Sequence, residues 1–323
     1  MAFIGNSKTL LISFVLALGT CFPVLAEAPA PKERPPLAEL WVQTSAEYRG
    51  LCYQAYTAAT EQFEHWAPLL EKRADGKAYL PGSNKPVAII LDLDEPVIDN
   101  SGFQAFTVRT GSRYNPQIWE AWVTFQGINE GAGGTVPGAV EFLNYAKEMG
   151  VTPVFISNRD VGYESATIKV LERAGIDTTD IEQRVLLKQK GEMADKQAME
   201  ALKAWGIDAS SEQGRATLEG EGEKEGRRLM TRRQYDVLAY FGDVYGDFEP
   251  FLYMAQDTQR RHFEQRQDSA DAHRDKWGKT WFILPNPMYG SWSVGEAIPK
   301  DQIKSSLDDY GFEVYLRGRR LLD

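Results

Sequence analysis

Two aspartates separated by one residue follow a short apolar run. Residues 87–91 are uniformly apolar, Pro86 precedes them, and Asp92 and Asp94 come after. Such a run is typical of a strand buried on both faces. Carboxylates at alternate positions lie on one side of an extended backbone, where their repulsion favours a bound hard cation such as Mg²⁺. The same residues also fit a solvated turn or a helix cap, so the pair alone leaves both interpretations open.

Further polar clusters follow later apolar runs. They are Ser157, Asn158 and Arg159 after residues 151–156, Lys188 at the end of residues 184–188, and Asp243 and Asp247 after residues 236–241. Each cluster by itself also fits a helix cap, a surface charge or a turn. Ligands in open α/β sheets bind beyond the carboxyl ends of the strands. The order of the clusters at successive strand ends therefore predicts one shared site.

Such a set of side chains is suited to phosphoryl transfer. One carboxylate can attack phosphorus to form an aspartyl-phosphate, and a second can protonate the leaving oxygen and later deprotonate water. A hydroxyl, backbone N–H groups and a lysine can bind the phosphoryl oxygens, while a metal ion offsets charge.

The three histidines do not have the spacing of zinc ligands, which argues against a zinc site. They are His65, His262 and His273.

The surrounding chain alternates between strand and helix patterns. Apolar positions three and four residues apart over residues 37–63 predict one long amphipathic helix. Helices are predicted at 137–149 and 166–174, and strands at 87–91, 151–156, 184–188, 236–241 and 280–284. Repeated strand–helix–strand units indicate a mainly parallel sheet flanked by helices, a Rossmann-like α/β fold.

The domain organisation follows from composition. Residues 37–323 are predicted to form one α/β domain. Residues 99–135, rich in aromatics and glycine, are predicted to be a cap insertion over the site, and residues 206–226 a flexible insertion. The net charge of -10 and the pI near 5.0 argue against nucleic acid as a partner.

The amino-terminal residues have the pattern of an export signal. Residues 1–26 contain Lys8, an apolar core too short to span a bilayer, and a small-residue cleavage pattern ending at Ala26. A proline-rich linker, residues 27–36, follows. The protein is therefore expected to be periplasmic or extracellular. Lipid attachment at Cys21 is the alternative and would anchor the protein to the outer membrane; after cleavage at Ala26, only Cys52 is left, which excludes an internal disulfide.

Further short segments complete a specific order along the chain. They are LWVQTSAEYR at 40–49, LDLDE at 91–95, IDNS at 98–101, VPGAVEF at 136–142, ISNR at 156–159, LLK at 186–188, GD at 242–243, DF at 247–248 and LPN at 284–286. This order resembles the haloacid dehalogenase (HAD) superfamily. The segments resemble its class C acid phosphatases, the lipoprotein e or 5'-nucleotidase branch, over most of the chain after the linker.

The resemblance implies a fold, an activity and a role for each cluster. The fold is the HAD fold with a small cap, and the activity is Mg²⁺-dependent hydrolysis of small phosphomonoesters, nucleoside 5'-monophosphates in particular. Asp92 would be the nucleophile and Asp94 the acid/base. The phosphoryl group would be held by Ser157, Asn158, Arg159 and Lys188. Mg²⁺ would be held by Asp92, Asp94 through its backbone carbonyl, Asp243 and Asp247, and the organic part of the substrate by Phe103, Tyr289 and Trp292.

Two departures from the family pattern leave alternatives open. Pro96 stands where Thr is usual, and Val244 where Asn is usual. Both are next to predicted site residues, so a catalytically weakened nucleotide- or phosphate-binding protein is one alternative. Dehalogenation of small haloacids is another, but Asp94 argues against it because a carbon–halogen bond needs no protonated leaving oxygen.

Overall fold

The computed structural model describes residues 37–112, 114–211, 214, 222–248, 259–290 and 317. Contacts divide the chain into residues 1–35 and residues 36–323, and the described part belongs to the second unit. The predicted signal sequence, the predicted linker and Trp292 lie outside the described residues. Among the helices that are described, none combines the length and the apolarity needed to cross a bilayer.

A parallel sheet forms the centre of the fold. The described strands are β1 Glu71–Lys72, β2 Ala78–Tyr79, β3 Val87–Leu91, β4 Ile98–Asp99, β5 Gly134–Thr135, β6 Thr152–Asp160, β7 Val185–Lys188, β8 Asp236–Gly242 and β9 Trp281–Ile283. Five of them are parallel, in the order β7-β6-β3-β8-β9. β3 therefore lies in the middle, so its carboxyl end is flanked by the ends of β6 and β8.

The helices include α1 Leu37–Thr44, α2 Ala46–Trp66, α3 Ser101–Thr110, α4 Pro116–Ile128, α5 Ala139–Glu148, α6 Glu164–Arg173, α7 Glu192–Trp205, α8 Gly222–Gln234 and α9 Gln259–Ala272. The single helix predicted over residues 37–63 is wrong, because the chain breaks between α1 and α2. The Ser45 hydroxyl accepts a hydrogen bond from the backbone N–H of Tyr48 at 3.0 Å and caps α2. The apolar spacing continues across this break, which is why the pattern concealed it.

Two apolar layers sandwich the sheet. Alternate β3 side chains face opposite sides: Ile89 and Leu91 pack with apolar residues of α2, α5 and α6, whereas Ala88 and Ile90 belong to a smaller cluster on the other face. That second face is covered by α8, which contacts β6, β7 and β8. A helix packed there can reach the carboxyl ends of three strands.

The two predicted insertions differ in structure. The segment 99–135 contains α3 and α4, and the antiparallel pairing of β4 with β5 closes its base. In the segment 206–226, Gly206 ends α7 in the left-handed conformation at φ 67°, but residues 222–226 already belong to α8. Residues 212, 213 and 215–221 lie outside the described residues, so the flexible insertion stays a prediction, and its carboxyl-terminal residues 222–226 are helical.

Candidate active site

The first half of the site surrounds Asp92 at the end of β3. Asp92 as a residue is 9% exposed, and Asp243 and Asp247 are buried nearby. One carboxylate oxygen from each of these three residues lies within 4.8 Å of the others. Burial and the neighbouring carboxylates Asp247 and Asp94 raise the pKa of Asp92 to about 7, although Lys224 opposes this. This donor set of oxygens fits a divalent hard cation.

Local backbone geometry explains why Asp243 and Asp247 are close. Asp247 Oδ2 accepts the backbone N–H groups of Asp243 and Val244, both at 3.2 Å. Asn286 donates to Asp243 Oδ2 at 2.8 Å. A Cβ at Gly242 would lie 2.3 Å from the Asp247 side chain, so this approach requires glycine. The side chain of Val244 contributes no polar group to the site, and only its backbone serves Asp247.

A lysine that sequence reasoning missed lies among these carboxylates. Lys224 Nζ donates to Asp92 Oδ1 at 3.0 Å and to Asp247 Oδ1 at 2.6 Å, and the residue is 6% exposed. Burial alone would lower the pKa of Lys224, but the charges of Asp247 and Asp92 raise it overall. The ammonium group is therefore a fixed positive charge beside the predicted nucleophile.

The lysine predicted from the sequence lies elsewhere. Lys188 is the last residue of β7, an edge strand that is separated from β3 by β6. It pairs in register with Asp160, and its side chain is exposed. The structure thus places Lys224, and not Lys188, against Asp92.

The second half of the site surrounds Asp94. Arg159 donates to Asp94 Oδ1 through Nη2 at 2.8 Å and through Nε at 3.0 Å. Ser157 donates to Asp94 Oδ2 at 3.2 Å, and Asn100 donates to Asp94 Oδ1 at 2.8 Å. Arg159 is buried, so its guanidinium group, predicted to hold phosphate, is instead committed to Asp94.

A hydrogen-bond ring joins Asp94 to the cap. Asn100 Oδ1 accepts from Trp122 Nε1 at 3.0 Å and from Gln126 Nε2 at 2.9 Å. Gln126 Oε1 in turn accepts from Arg159 Nη2 at 2.9 Å. Because Trp122 and Gln126 belong to α4, the position of this cap helix and the orientation of Asp94 depend on the same buried bonds.

A cavity of about 380 Å³ opens above both halves. It is lined by Asp92, Asp94, Gln104, Tyr114, Trp119, Asn158, Arg159, Lys224, Asp243, Val244 and Tyr289. Of the predicted aromatic walls, Tyr289 lines the cavity. Phe103 does not: it is 2% exposed and packs on Trp119 at 5.1 Å between ring centroids, inside the cap.

The loop after Asp94 has an unusual backbone. Glu95 is buried at φ 74°, a left-handed conformation, immediately before Pro96. Its carboxylate accepts from Tyr289 Oη and from the backbone N–H of Asn100. Burial, followed by Asp94 and Asp243, raises the pKa of Glu95 well above its usual range. The carbonyl of Pro96 accepts from buried Tyr56, so the loop is tied to both Tyr289 and α2.

Comparison with known proteins identifies the family of this chain. The family model described as HAD superfamily, subfamily IIIB (Acid phosphatase) matches residues 28–292. The class C acid phosphatase from Bacillus anthracis is 28% identical, with a TM-score of 0.60 over 83% of this chain and 96% of that one. A structure of the class C acid phosphatase from the same organism with tungstate bound is also 28% identical, with a TM-score of 0.57 over 89% of this chain and 96% of that one. These matches favour a phosphomonoesterase over the binding-protein and dehalogenase alternatives. The chain belongs to subfamily IIIB of the HAD superfamily, the acid phosphatases.

Proposed function

We propose that this acid phosphatase is Mg²⁺-dependent, acts through an aspartyl-phosphate on Asp92, and prefers nucleoside 5'-monophosphates or similar aromatic monoesters. The observation that carries the mechanism is the arrangement around Asp92 and Asp94. The two carboxylates share one cavity, but Asp92 faces Lys224 and further carboxylates whereas Asp94 faces Arg159.

In the first step, an Asp92 carboxylate oxygen forms a bond to phosphorus, and the bond from phosphorus to the substrate's ester oxygen breaks. Asp94 gives a proton to that leaving oxygen. In the second step, Asp94 takes a proton from water, the water oxygen bonds to phosphorus, and the bond to Asp92 breaks. Free Asp92 and inorganic phosphate result.

The surrounding residues support these steps through charge and position. Lys224 binds phosphoryl oxygens beside Asp92, the role predicted for Lys188, and Ser157 and Asn158 supply further donors. Arg159 orients Asp94. A divalent ion held by Asp92, Asp243 and Asp247 would offset negative charge on the phosphoryl group. The tungstate bound by the Bacillus anthracis protein supports such an oxyanion site, because tungstate is a tetrahedral oxyanion like phosphate.

The cavity supports the aromatic preference. Its volume is within the range of small-molecule sites, and Tyr114, Trp119 and Tyr289 present aromatic faces on which a base can stack without one particular base being required. The test measures kcat/KM for several nucleoside 5'-monophosphates, phenyl phosphate and glycerol phosphate, with Mg²⁺ or with EDTA. We expect kcat/KM for the aromatic esters to exceed that for glycerol phosphate by about tenfold, because one stacking contact with an aromatic side chain contributes roughly 1–3 kcal/mol. Equal values would contradict the preference, and full activity in EDTA would contradict the metal requirement.

Export is a separate part of the proposal and depends on residues 1–26. Amino-terminal sequencing of the protein made in a bacterial host is expected to begin at Glu27, which follows the small-residue pattern ending at Ala26. Incorporation of a labelled fatty acid that is lost in Cys21→Ser would instead favour the lipid-anchored alternative.

A further inference from the structure

Two adjacent arginines on α8 contact different segments of the site. Arg227 and Arg228 are each 1% exposed. Arg227 Nη1 donates to the backbone carbonyls of Ser157 at 2.6 Å and Leu186 at 2.8 Å, and its Nη2 donates to Asn158 Oδ1 at 3.0 Å. Arg227 thus ties the carboxyl-terminal part of β6, which carries the phosphoryl donors, to the neighbouring strand β7.

Arg228 makes the corresponding connection on the other side. Its Nη1 donates to the backbone carbonyls of Gly246 at 2.7 Å and Asp247 at 3.1 Å. Its Nε donates to Glu225 Oε2 at 2.5 Å, within the same helix. Arg228 thus fixes the turn that presents Asp247 to the other carboxylates.

The helix makes these two connections with one rigid element. Consecutive helical residues point about 100° apart, so Arg227 and Arg228 diverge, whereas residues three and four apart lie on one side. Lys224 precedes them by that spacing and reaches Asp92 and Asp247. The distance between the carboxyl-terminal part of β6 and the turn that carries Asp247 is therefore set by α8.

We infer that Arg227 and Arg228 are positioning residues for the reaction, and that each controls a different half of the site. Arg227 holds the donors for the phosphoryl oxygens, and Arg228 holds the carboxylates for the divalent ion. The inference rests on the proposed roles of Asn158 and Asp247. A guanidinium group can donate to several carbonyls in fixed directions, whereas a lysine keeps the charge but loses this fork.

The test compares Arg227→Lys and Arg228→Lys in two measurements. Calorimetry of the EDTA-treated and dialysed protein with Mg²⁺ alone gives the metal Kd, and inhibition by tungstate at saturating Mg²⁺ gives the oxyanion Ki. We expect Arg227→Lys to raise the tungstate Ki about tenfold and to leave the Mg²⁺ Kd within about threefold of the wild-type value. Arg228→Lys is expected to raise the Mg²⁺ Kd about tenfold and to leave the tungstate Ki within about threefold of the wild-type value.

Arg233→Lys is the matched control, because Arg233 lies on the same helix and pairs with Glu200 with its side chain 64% exposed. It is expected to change neither constant. If Arg228→Lys does not fold, Glu225→Gln carries the test of that half. It weakens the pairing of Glu225 with Arg228 and with the more exposed Arg232, and it is expected to weaken Mg²⁺ binding and to leave tungstate inhibition unchanged.

Equal changes in both constants, or no change in either, would overturn the inference. If the wild-type protein itself binds no Mg²⁺ or is not inhibited by tungstate, the proposed function fails instead. The two failures are therefore distinguishable.

Discussion

Asp92 and Asp94 come from the same strand end, yet their surroundings balance charge in different ways. Around Asp92, the carboxylates of Asp243 and Asp247 are buried, and Lys224 supplies the one ammonium group that pairs with them among the residues that the structure describes. Around Asp94, one guanidinium group, an amide and a hydroxyl satisfy one carboxylate.

The side chains of the protein balance the charge of Asp94, but they do not balance the charge around Asp92. In the Asp94 half, one guanidinium group faces one carboxylate, and that carboxylate accepts hydrogen bonds from Arg159, Ser157 and Asn100, so side chains alone orient it. The Asp92 half has an excess of buried negative charge, which is costly unless a cation is added. The metal and the substrate are thus expected to act on the Asp92 half, and the cap on the Asp94 half.

The largest effect is expected for Asp92→Asn. The amide has nearly the same shape but is a poor nucleophile, so kcat with phenyl phosphate should fall by at least about 10³-fold. Quench-flow trapping with a ³²P-labelled monoester should find acid-stable label on the wild-type protein and none on the variant. Activity of Asp92→Asn near the wild-type level would remove the covalent mechanism.

Lys224→Met is expected to lower kcat/KM by about 10²-fold, because one preorganised positive donor beside the phosphoryl group is lost. Lys188→Met is the matched control: an exposed charge on an edge strand should change kcat/KM by less than about twofold. Steady-state kinetics of both variants decides between the lysine predicted from the sequence and the lysine found in the structure. A larger loss in Lys188→Met would reverse the assignment.

This difference shows what the sequence could and could not predict. The β3 run, its two aspartates and the parallel sheet follow from local pattern, because a buried parallel strand needs a continuous apolar run. The cluster Ser157, Asn158 and Arg159 and the pair Asp243 and Asp247 follow from the rule that the ends of parallel strands converge. Lys188 fitted that rule too, since it ends a strand, but the rule does not specify how far an edge strand lies from the centre.

Lys224 was not predicted as a site residue because the surrounding sequence is rich in Gly and Glu, a composition typical of surface loops. A usable signal was nevertheless present: Lys224, Arg227, Arg228 and Thr231 recur at helical spacing just before β8, and polar residues at such spacing can line a buried face as well as a solvated one. The hydrogen bonds of Asn100, Gln126 and Arg159 are tertiary, so no local pattern predicts them. Phe103 was predicted to contact the substrate because it is aromatic and lies close to Asp94 in the sequence, but its ring packs inside the cap.

Arg159→Lys tests the Asp94 half. A lysine cannot replace the two bonds to Asp94 and the bond to Gln126, so kcat should fall about tenfold while KM changes little. The fall should be larger for glycerol phosphate than for p-nitrophenyl phosphate, because a nitrophenolate leaves without needing a proton from Asp94. An equal fall with both substrates would indicate that Arg159 serves phosphate binding, the role predicted from the sequence.

The smallest effect concerns the stability of the metal-free protein. Burial raises the pKa of Asp92 to about 7 and that of Asp243 well above its usual value. A raised pKa in the folded state means that the folded protein binds these protons more tightly than the unfolded chain does. Their contribution to stability is therefore fully present below the unfolded value of 3.8 for Asp92 and is lost as pH rises through about 7.

In EDTA, the Tm should accordingly be higher at pH 5.5 than at pH 7.5, by about 3 °C for each kcal/mol gained. Saturating Mg²⁺ should reduce or reverse this trend, because protons compete with the ion for the same carboxylates. Asp243→Asn is the control: it removes one of the raised groups and should flatten the pH dependence in EDTA. A Tm in EDTA that rises with pH over this interval would show that the Asp92 half carries no excess of negative charge.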